Sequence, residues 1–365
     1  MAVQRLAVVG TGLIGASLGL AAQAGGARVT GWDPDPVALA TAAGLGACEA
    51  APSLVEALED AELAVLAAPT AQLPGQVAAV LGQTGEQLTV TDVGSTKSSV
   101  VAAAAGSPRF VGGHPLAGKE VHGAEHAAGG LFEGATWFLT PTSSTDLERY
   151  ALVHGFVADL GAFPHAIEPG AHDQLVALTS HLPHVLANVV VNQAGATRVE
   201  GHEPLANAAG SLRDMTRIAG ANPRLWREIF LDNADAVRAS LAEHRRRIEE
   251  VEAALARRDD EFLGRWIAEA ARNRRRMLDV AYGDAGALQR VQVHVSDRPN
   301  VLAEITQAFG AARIDIRDFE LDHISPERGG TLTLLVSGED EADRALALLE
   351  SQGYGVVVSA VLDEG

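Results

Sequence analysis

Leu6-Ala7-Val8-Val9-Gly10-Thr11-Gly12-Leu13-Ile14-Gly15 is the stretch that decides the fold. An apolar run opens directly into a glycine turn, a small-residue helix from Ala16 to Ala24 follows, and a second strand, Arg28 to Trp32, ends at Asp33, 18 residues after Gly15. GxGxxG alone is a weak signal. In the order strand, turn, helix, strand, acid it marks a dinucleotide-binding βαβ unit. The glycines let the backbone approach a pyrophosphate at a helix N-terminus, and Asp33 is placed to accept hydrogen bonds from ribose hydroxyls. Pro34, Asp35 and Pro36 follow with no arginine. A 2′-phosphate would meet two carboxylates there, so the spacing predicts NAD rather than NADP.

The alternation continues. A strand at Leu63 to Ala67 closes on Ala68-Pro69-Thr70, a helix runs from Leu73, and a strand at Leu88 to Val93 closes on Gly94-Ser95-Thr96-Lys97. Another helix leads to a short strand, Arg109 to Val111, which delivers Gly112-Gly113-His114-Pro115 on a loop. Strands at Glu133 to Thr140 and Ala162 to Ile167, with a helix at Asp146 to Leu160, complete a Rossmann-type α/β domain over residues 1–168. In an open parallel sheet, ligands bind beyond the carboxyl ends of the strands. The glycine turn, Ala68-Pro69-Thr70, Ser95 and His114 therefore line one crevice. Ser95 reads as a ligand contact, as the cap of the helix after it, or as both. His114, pinned between two glycines and a proline, carries the side chain best suited to take a proton near neutral pH.

From residue 169 to 283 the hydrophobic period is helical. Leu175, Leu178, Leu182, Leu186 and Val189 form a stripe that should face a core, while Ser180, His184 and Asn188 stand at i, i+4, i+8 on one polar line. Pro183 interrupts the same helix and predicts a kink that would aim Ser180 and His184. Satisfied core polars are one alternative. Another is a metal pair of His181 and His184 with His172 or Asp173, but no further ligand set has recognisable spacing, and no metal is expected. Arg213, Asp214 and Arg217 sit on a short helix; Asp214 and Arg217 make either a surface ion pair or, through Arg217, a carboxylate clamp. Asn222-Pro223 caps a long helix carrying Trp226. The basic runs Arg245-Arg246-Arg247 and Arg272 to Arg276 alternate with glutamates and read as solvated faces. The long helices 223–257 and 260–281 should pair with a second subunit.

Residues 288–365 change rhythm to a βαββαβ order, with Asp297-Arg298-Pro299-Asn300 opening the first helix at Val301-Leu302. Over the whole chain the net charge is −19, which argues against nucleic acid or an anionic membrane as partner. An anionic substrate must then be held by local cations, since distant charges are screened beyond ~8 Å. A single cysteine, Cys48, excludes an internal disulfide. No leader and no apolar run long enough to span a bilayer is evident, so a soluble, cytoplasmic protein is expected.

The motifs together support a resemblance. With the glycine turn, Asp92-Val93-Gly94-Ser95, His114-Pro115-Leu116-Ala117-Gly118, Ser180-His181-Leu182-Pro183-His184, Thr216-Arg217-Ile218-Ala219 and Trp226 nine residues after Arg217, the chain is identified as a member of the prephenate dehydrogenase (TyrA) family. Its C-terminal part resembles an ACT domain. The resemblance implies NAD-dependent oxidative decarboxylation of prephenate, with His114 as the base and Ser95 orienting it. It also implies that Arg217 binds a substrate carboxylate and that Ser180, His184 and Trp226 line the pocket. Glu120 matches an acidic position that regulates access, and Lys119 stands where some relatives carry a small polar residue. An ACT domain implies an amino-acid effector, here tyrosine, near Asp297, Pro299, Asn300, Val301 and Leu302, although Asn300 replaces the usual glycine. Arogenate dehydrogenase, with the same chemistry on an amine-bearing substrate, stays open. A hydroxyacid dehydrogenase of the 6-phosphogluconate type would be expected to use a lysine in the helical domain, where this chain offers histidine and serine. A non-catalytic NAD and amino-acid sensor would leave His114, Ser95 and Arg217 idle.

Overall fold

The computed structural model describes residues 3–118, 121–284, 287–296, 298–325 and 329–361. Eight strands form the first sheet: β1 (Arg5–Val9), β2 (Arg28–Trp32), β3 (Glu49–Ala50), β4 (Leu63–Leu66), β5 (Thr89–Asp92), β6 (Phe110–Pro115), β7 (Thr136–Thr140) and β8 (Phe163–Ala166). Their spatial order is β3-β2-β1-β4-β5-β6-β7-β8. Helices α1 (Leu13–Ala24), α2 (Pro36–Gly44), α3 (Leu54–Leu58), α4 (Leu73–Gln83), α5 (Ser98–Ala103) and α6 (Leu147–Asp159) connect them. The central strands are apolar on both faces because both are covered. Leu6, Val8, Leu63 and Val65 enter one core, whereas Ala7, Val9, Ala64 and Leu66 enter the other. The strand order reverses between β1 and β4, so the turns after them diverge and open a crevice at the carboxyl edge.

At β6 the parallel pattern is interrupted once, and it resumes between β7 and β8. Only Val90 and Thr91 of β5 pair with Phe110 and Val111; from Gly112 the strand turns to β7 and pairs antiparallel, His114 opposite Phe138. His114 thus lies on a strand rather than on the expected loop, and the expected strand at 109–111 runs on to Pro115. The two glycines make this switch possible. A Cβ on Gly112 would stand 2.3 Å from Thr140 Oγ1, and one on Gly113 2.5 Å from the Asp92 carbonyl.

The helical segment begins with α7 (Pro169–Val176), capped by the Glu168 carboxylate on Ala171 N–H. A π-turn, Ala177–His181, separates it from α8 (Leu182–Ala196). Pro183, which cannot donate to the preceding turn, enters in the first turn of α8, so the distortion falls just before it. Then come α9 (Gly210–Thr216), α10 (Pro223–Asp232), α11 (Ala234–Arg257) and α12 (Asp260–Tyr282). The expected core stripe is corrected: Leu182 is buried, but Leu175, Leu178 and Val189 are exposed, Leu178 by 60%. The expectation of no span-length apolar run is also corrected. Pro169–Ala196 is long and apolar enough by length and composition to cross a membrane. Its buried His172, Asp173 and His181 are engaged in polar bonds within the fold, a content costly in lipid.

The remaining strands, β9 (Leu288–Val295), β10 (Asp318–Ser325), β11 (Gly329–Ser337) and β12 (Val356–Ala360), form an antiparallel sheet of order β10-β11-β9-β12. Helices α13 (Val301–Ala311) and α14 (Glu339–Ser351) pack on it through Ile305, Phe309, Ala345 and Leu349. The βαββαβ order matches the sequence expectation, and its second strand starts at Asp318, with buried Ile314 preceding it. The chain divides into two compact units, Met1–Arg245 and Arg246–Gly365.

Candidate active site

The glycine turn has the shape a dinucleotide needs. Gly10 adopts φ +95°, and a Cβ there would lie 2.6 Å from the Ala67 carbonyl. Gly12, the N-cap of α1, has no side chain capping its first-turn amides, and nothing lies within 4 Å of where its Cβ would stand. Open space before uncapped amides is an anion site in waiting. Asp33 Oδ2 accepts the Thr11 N–H (2.7 Å) and Oδ1 the Asp35 N–H (2.8 Å). A carboxylate offers about four acceptor positions, so capacity for ribose hydroxyls remains. Arg28, at the amino end of β2, is committed to Glu49 at 2.7 Å. These residues fit NAD and offer no cation for a 2′-phosphate.

Around His114 the structure builds a hydrogen-bonded chain. His114 Nδ1 lies 2.9 Å from His172 Nε2, and His172 Nδ1 lies 2.9 Å from Asp173 Oδ1. Asp173 also accepts the Lys97 N–H and the Ser98 N–H, both at 2.8 Å. The amides that open α5 are thereby satisfied from α7. Ser95 does not cap α5; it is half-buried at the carboxyl end of β5 and makes no side-chain hydrogen bond among the described residues. Burial alone would raise Asp173, but hydrogen bonds from His172, Ser98 and Lys97 overcome it and hold the carboxyl at about 2. His114 is pushed well below the usual histidine range, first by burial and then by His172, Lys97 and His181, with Asp173 opposing. A neutral imidazole at neutral pH is a competent base.

Beneath it Lys97, fully buried, pairs with Asp92 Oδ2 and donates to the Gly113 carbonyl at 2.6 Å. Asp92 Oδ1 accepts Gly113 N–H (3.1 Å) and Oδ2 accepts Gly94 N–H (2.8 Å). One ion pair thus fixes both the residue before His114 and the residue before Ser95.

An aromatic cluster joins α8 to α10. His184 stacks on Trp226 with centroids 3.5 Å apart, and Phe230 and His181 pack around the same indole. Asn233 Nδ2 bridges the Asp173 carbonyl (2.8 Å) and His181 Nδ1 (3.1 Å), while Asp232 accepts Thr96 and Ser99 hydroxyls at 2.5 and 2.8 Å. The end of α10 is therefore tied to the strand-end loop that carries Ser95. His181 is lowered to about 4, chiefly by burial.

Of the residues expected at the site, His184 and Trp226 meet directly, and Ser180 lies half-buried in the π-turn. Thr70 is buried at the end of β4, in a one-turn 3-10 helix against which α10 packs. Arg217 is exposed at the C-cap of α9 and makes no side-chain hydrogen bond or ion pair among the described residues, so the surface pair with Asp214 is not formed there. Lys119, Glu120 and Asp297 lie outside the described residues. Sequence reasoning gave no role to Lys97 or Asp92, passed over Asn233, and weighed His172 and Asp173 only as metal ligands; the structure bonds the latter two to each other, with His172 reaching His114. Two polar residues opening an apolar helix were the available signal.

A Rossmann sheet with an NAD cradle, a half-buried imidazole at its carboxyl edge and a helical segment bonded to that imidazole through His172 define an NAD-dependent oxidoreductase. Residues 18–164 match the family described as prephenate dehydrogenase, nucleotide-binding domain, and residues 168–269 the prephenate dehydrogenase dimerization domain. The chain belongs to the prephenate dehydrogenase family. It is similar to the prephenate dehydrogenase of Bacillus subtilis (strain 168), 32% identical over 356 residues, covering 94% of this chain and 95% of that one. Among solved structures it resembles prephenate dehydrogenase from A. aeolicus in complex with hydroxyphenyl propionate and NAD+ (TM-score 0.71, 29% identity, 75% of this chain and 98% of that one). It also resembles Synechocystis arogenate dehydrogenase (TM-score 0.69, 28% identity, 74% and 98%).

Proposed function

We propose that this protein oxidatively decarboxylates prephenate to 4-hydroxyphenylpyruvate with NAD, and that His114 is the base. The observation that carries the reading is the chain from Asp173 through His172 to His114, which ends on a neutral imidazole on β6, in the same sheet whose first strand leads into the glycine turn. His114 takes the proton of the ring hydroxyl at C4. When bound, NAD accepts the hydride from C4 as the C1 carboxylate leaves as CO2. Rearomatisation drives the step. Ser95 helps orient His114, and Arg217 holds a carboxylate of the substrate, a role the net charge of −19 leaves to local cations. Ser180, His184 and Trp226 line the ring pocket, with Lys119 and Glu120 at its edge. The domains run 1–168, 169–283 and 288–365, and the helical one pairs two copies of the chain. Buried Cys48, its thiol pushed up to about 11 by burial, suits a cytoplasmic enzyme with no redox role for cysteine.

We further infer that residues 288–365 are an ACT domain reading tyrosine. A cavity of about 410 Å³ is lined by Arg298, Asn300, Val301, Leu302 and Leu321 among others. Asn300 adopts φ +71°, the left-handed region that asparagine tolerates best after glycine, so the turn keeps its form without the usual glycine.

NADH formation with NAD and either prephenate or L-arogenate, with and without L-tyrosine, tests both readings. Turnover of prephenate suppressed by tyrosine is expected. Turnover of arogenate alone moves the substrate, and turnover indifferent to tyrosine removes the effector.

A further inference from the structure

His172 has 0% of its surface exposed and is bonded at both ring nitrogens. We propose that His172, anchored by Asp173, is a positioning residue that fixes the tautomer of His114 and thereby makes Nε2 the proton-accepting atom. This rests on His114 being the base.

The argument follows the donors. Asp173 is ionised and can only accept, so His172 Nδ1 must donate to it. With that proton on Nδ1, the arrangement in which His172 offers Nε2 as the acceptor has His114 Nδ1 donate across the 2.9 Å contact. His114 then carries its lone pair on Nε2, where no hydrogen bond to a described residue occupies it. The opposite tautomer would leave an N–H facing the substrate hydroxyl and two lone pairs facing each other across the His114–His172 contact. When Nε2 takes the substrate proton, His114 becomes an imidazolium whose Nδ1–H stays donated to His172, and the Asp173 carboxylate beyond faces the new charge. Asp173 itself receives no proton. Phe138, edge-on to His172 at 5.5 Å, and the amides of Lys97 and Ser98 on Asp173 keep the chain from turning. The device sits on both sides of the domain joint: His114 comes from β6, His172 and Asp173 from the first helix after the sheet.

The test reads the tautomer and the rate separately. In ring-¹⁵N-labelled wild-type protein, His114 is expected to show a protonated Nδ1 and an unprotonated Nε2 at pH 7.5; the reverse, as a charged His172 would impose, overturns the proposal without any variant. His172→Phe keeps the ring volume and removes the acceptor. Folded by circular dichroism and with NAD affinity and substrate KM unchanged, it should lose kcat by about 10²-fold, the scale on which such orienting partners act. His172→Gln, whose carbonyl can accept from His114, should recover part of that loss. Folded His172→Phe with wild-type kcat overturns the role. If His114→Asn keeps full turnover, the base assignment itself has failed, whatever tautomer His114 shows.

Discussion

Lys97 and Asp92 form an ion pair whose side chains are both 0% exposed. The pair spans the strand ends that carry His114 and Ser95 through Gly113 and Gly94. Burial draws the ammonium below its usual range, with Asp92 opposing. Removing one partner strands the other charge, which costs about 3–5 kcal/mol in buried pairs. Lys97→Met and Asp92→Asn should each lower the melting temperature sharply, and the double variant should fall by less than their sum. Additive losses would show that the pair does not act as a unit.

His114→Asn should lower kcat by about 10²–10⁴-fold and leave NAD binding unchanged. The pH profile has a defined sign. His114 is held well below 6.5 by burial, with His172, Lys97 and His181 adding to the effect and Asp173 opposing it. The base is neutral above that lowered pKa and charged below it. kcat/KM should therefore be flat on His114's account from pH 7 upward and decline only on the acid side, below pH 6. A midpoint at or above 6.5 would mean the imidazole is not desolvated.

Gly10→Ala should weaken NAD binding by about tenfold or more. The backbone at φ +95° strains any L side chain by ~1–3 kcal/mol, and the Cβ would meet the Ala67 carbonyl at 2.6 Å. The turn must shift, and with it the amides of α1. Isothermal titration with NAD checks this; an unchanged Kd would show the turn is not the pyrophosphate cradle.

What was legible in the sequence was local. The glycine turn, Asp33 and the strand-end loops sit within one βαβ rhythm, and their spacing alone orders them. His172 was not legible as a partner of His114 because 58 positions separate them, and helical period says nothing about what a helix end meets. Lys97 was passed over because lysine is by default a surface residue; only the sheet shows it sealed beneath Gly113. The β6 switch was half-visible: Gly112-Gly113 announced close backbone approach, but not that the strand would change partners there.

Arg217→Ala should raise KM for the anionic substrate by about tenfold with kcat largely kept, since an arginine used equally in ground and transition state changes binding alone. Its exposure at the C-cap of α9, with no ion pair among the described residues, leaves the guanidinium available. Steady-state kinetics decide, and an unchanged KM removes the clamp.

The exposed apolar stripe running from α7 through the π-turn into α8 points to the last prediction. Leu178 and Val189 are 60% and 54% exposed, and Leu231 at the end of α10 is 71% exposed. Burying such side chains contributes ~1.5–3 kcal/mol each, and residues 168–269 match a dimerization domain. Light scattering should give the mass of two chains for the wild type. Leu178→Glu places a charge in that face, where desolvation without a partner is costly, and should shift the mass toward one chain. His114 and its partners stay within one chain, so the monomer should keep the His114 tautomer even if turnover falls. A variant that stays dimeric would place the interface on another face of the helical segment.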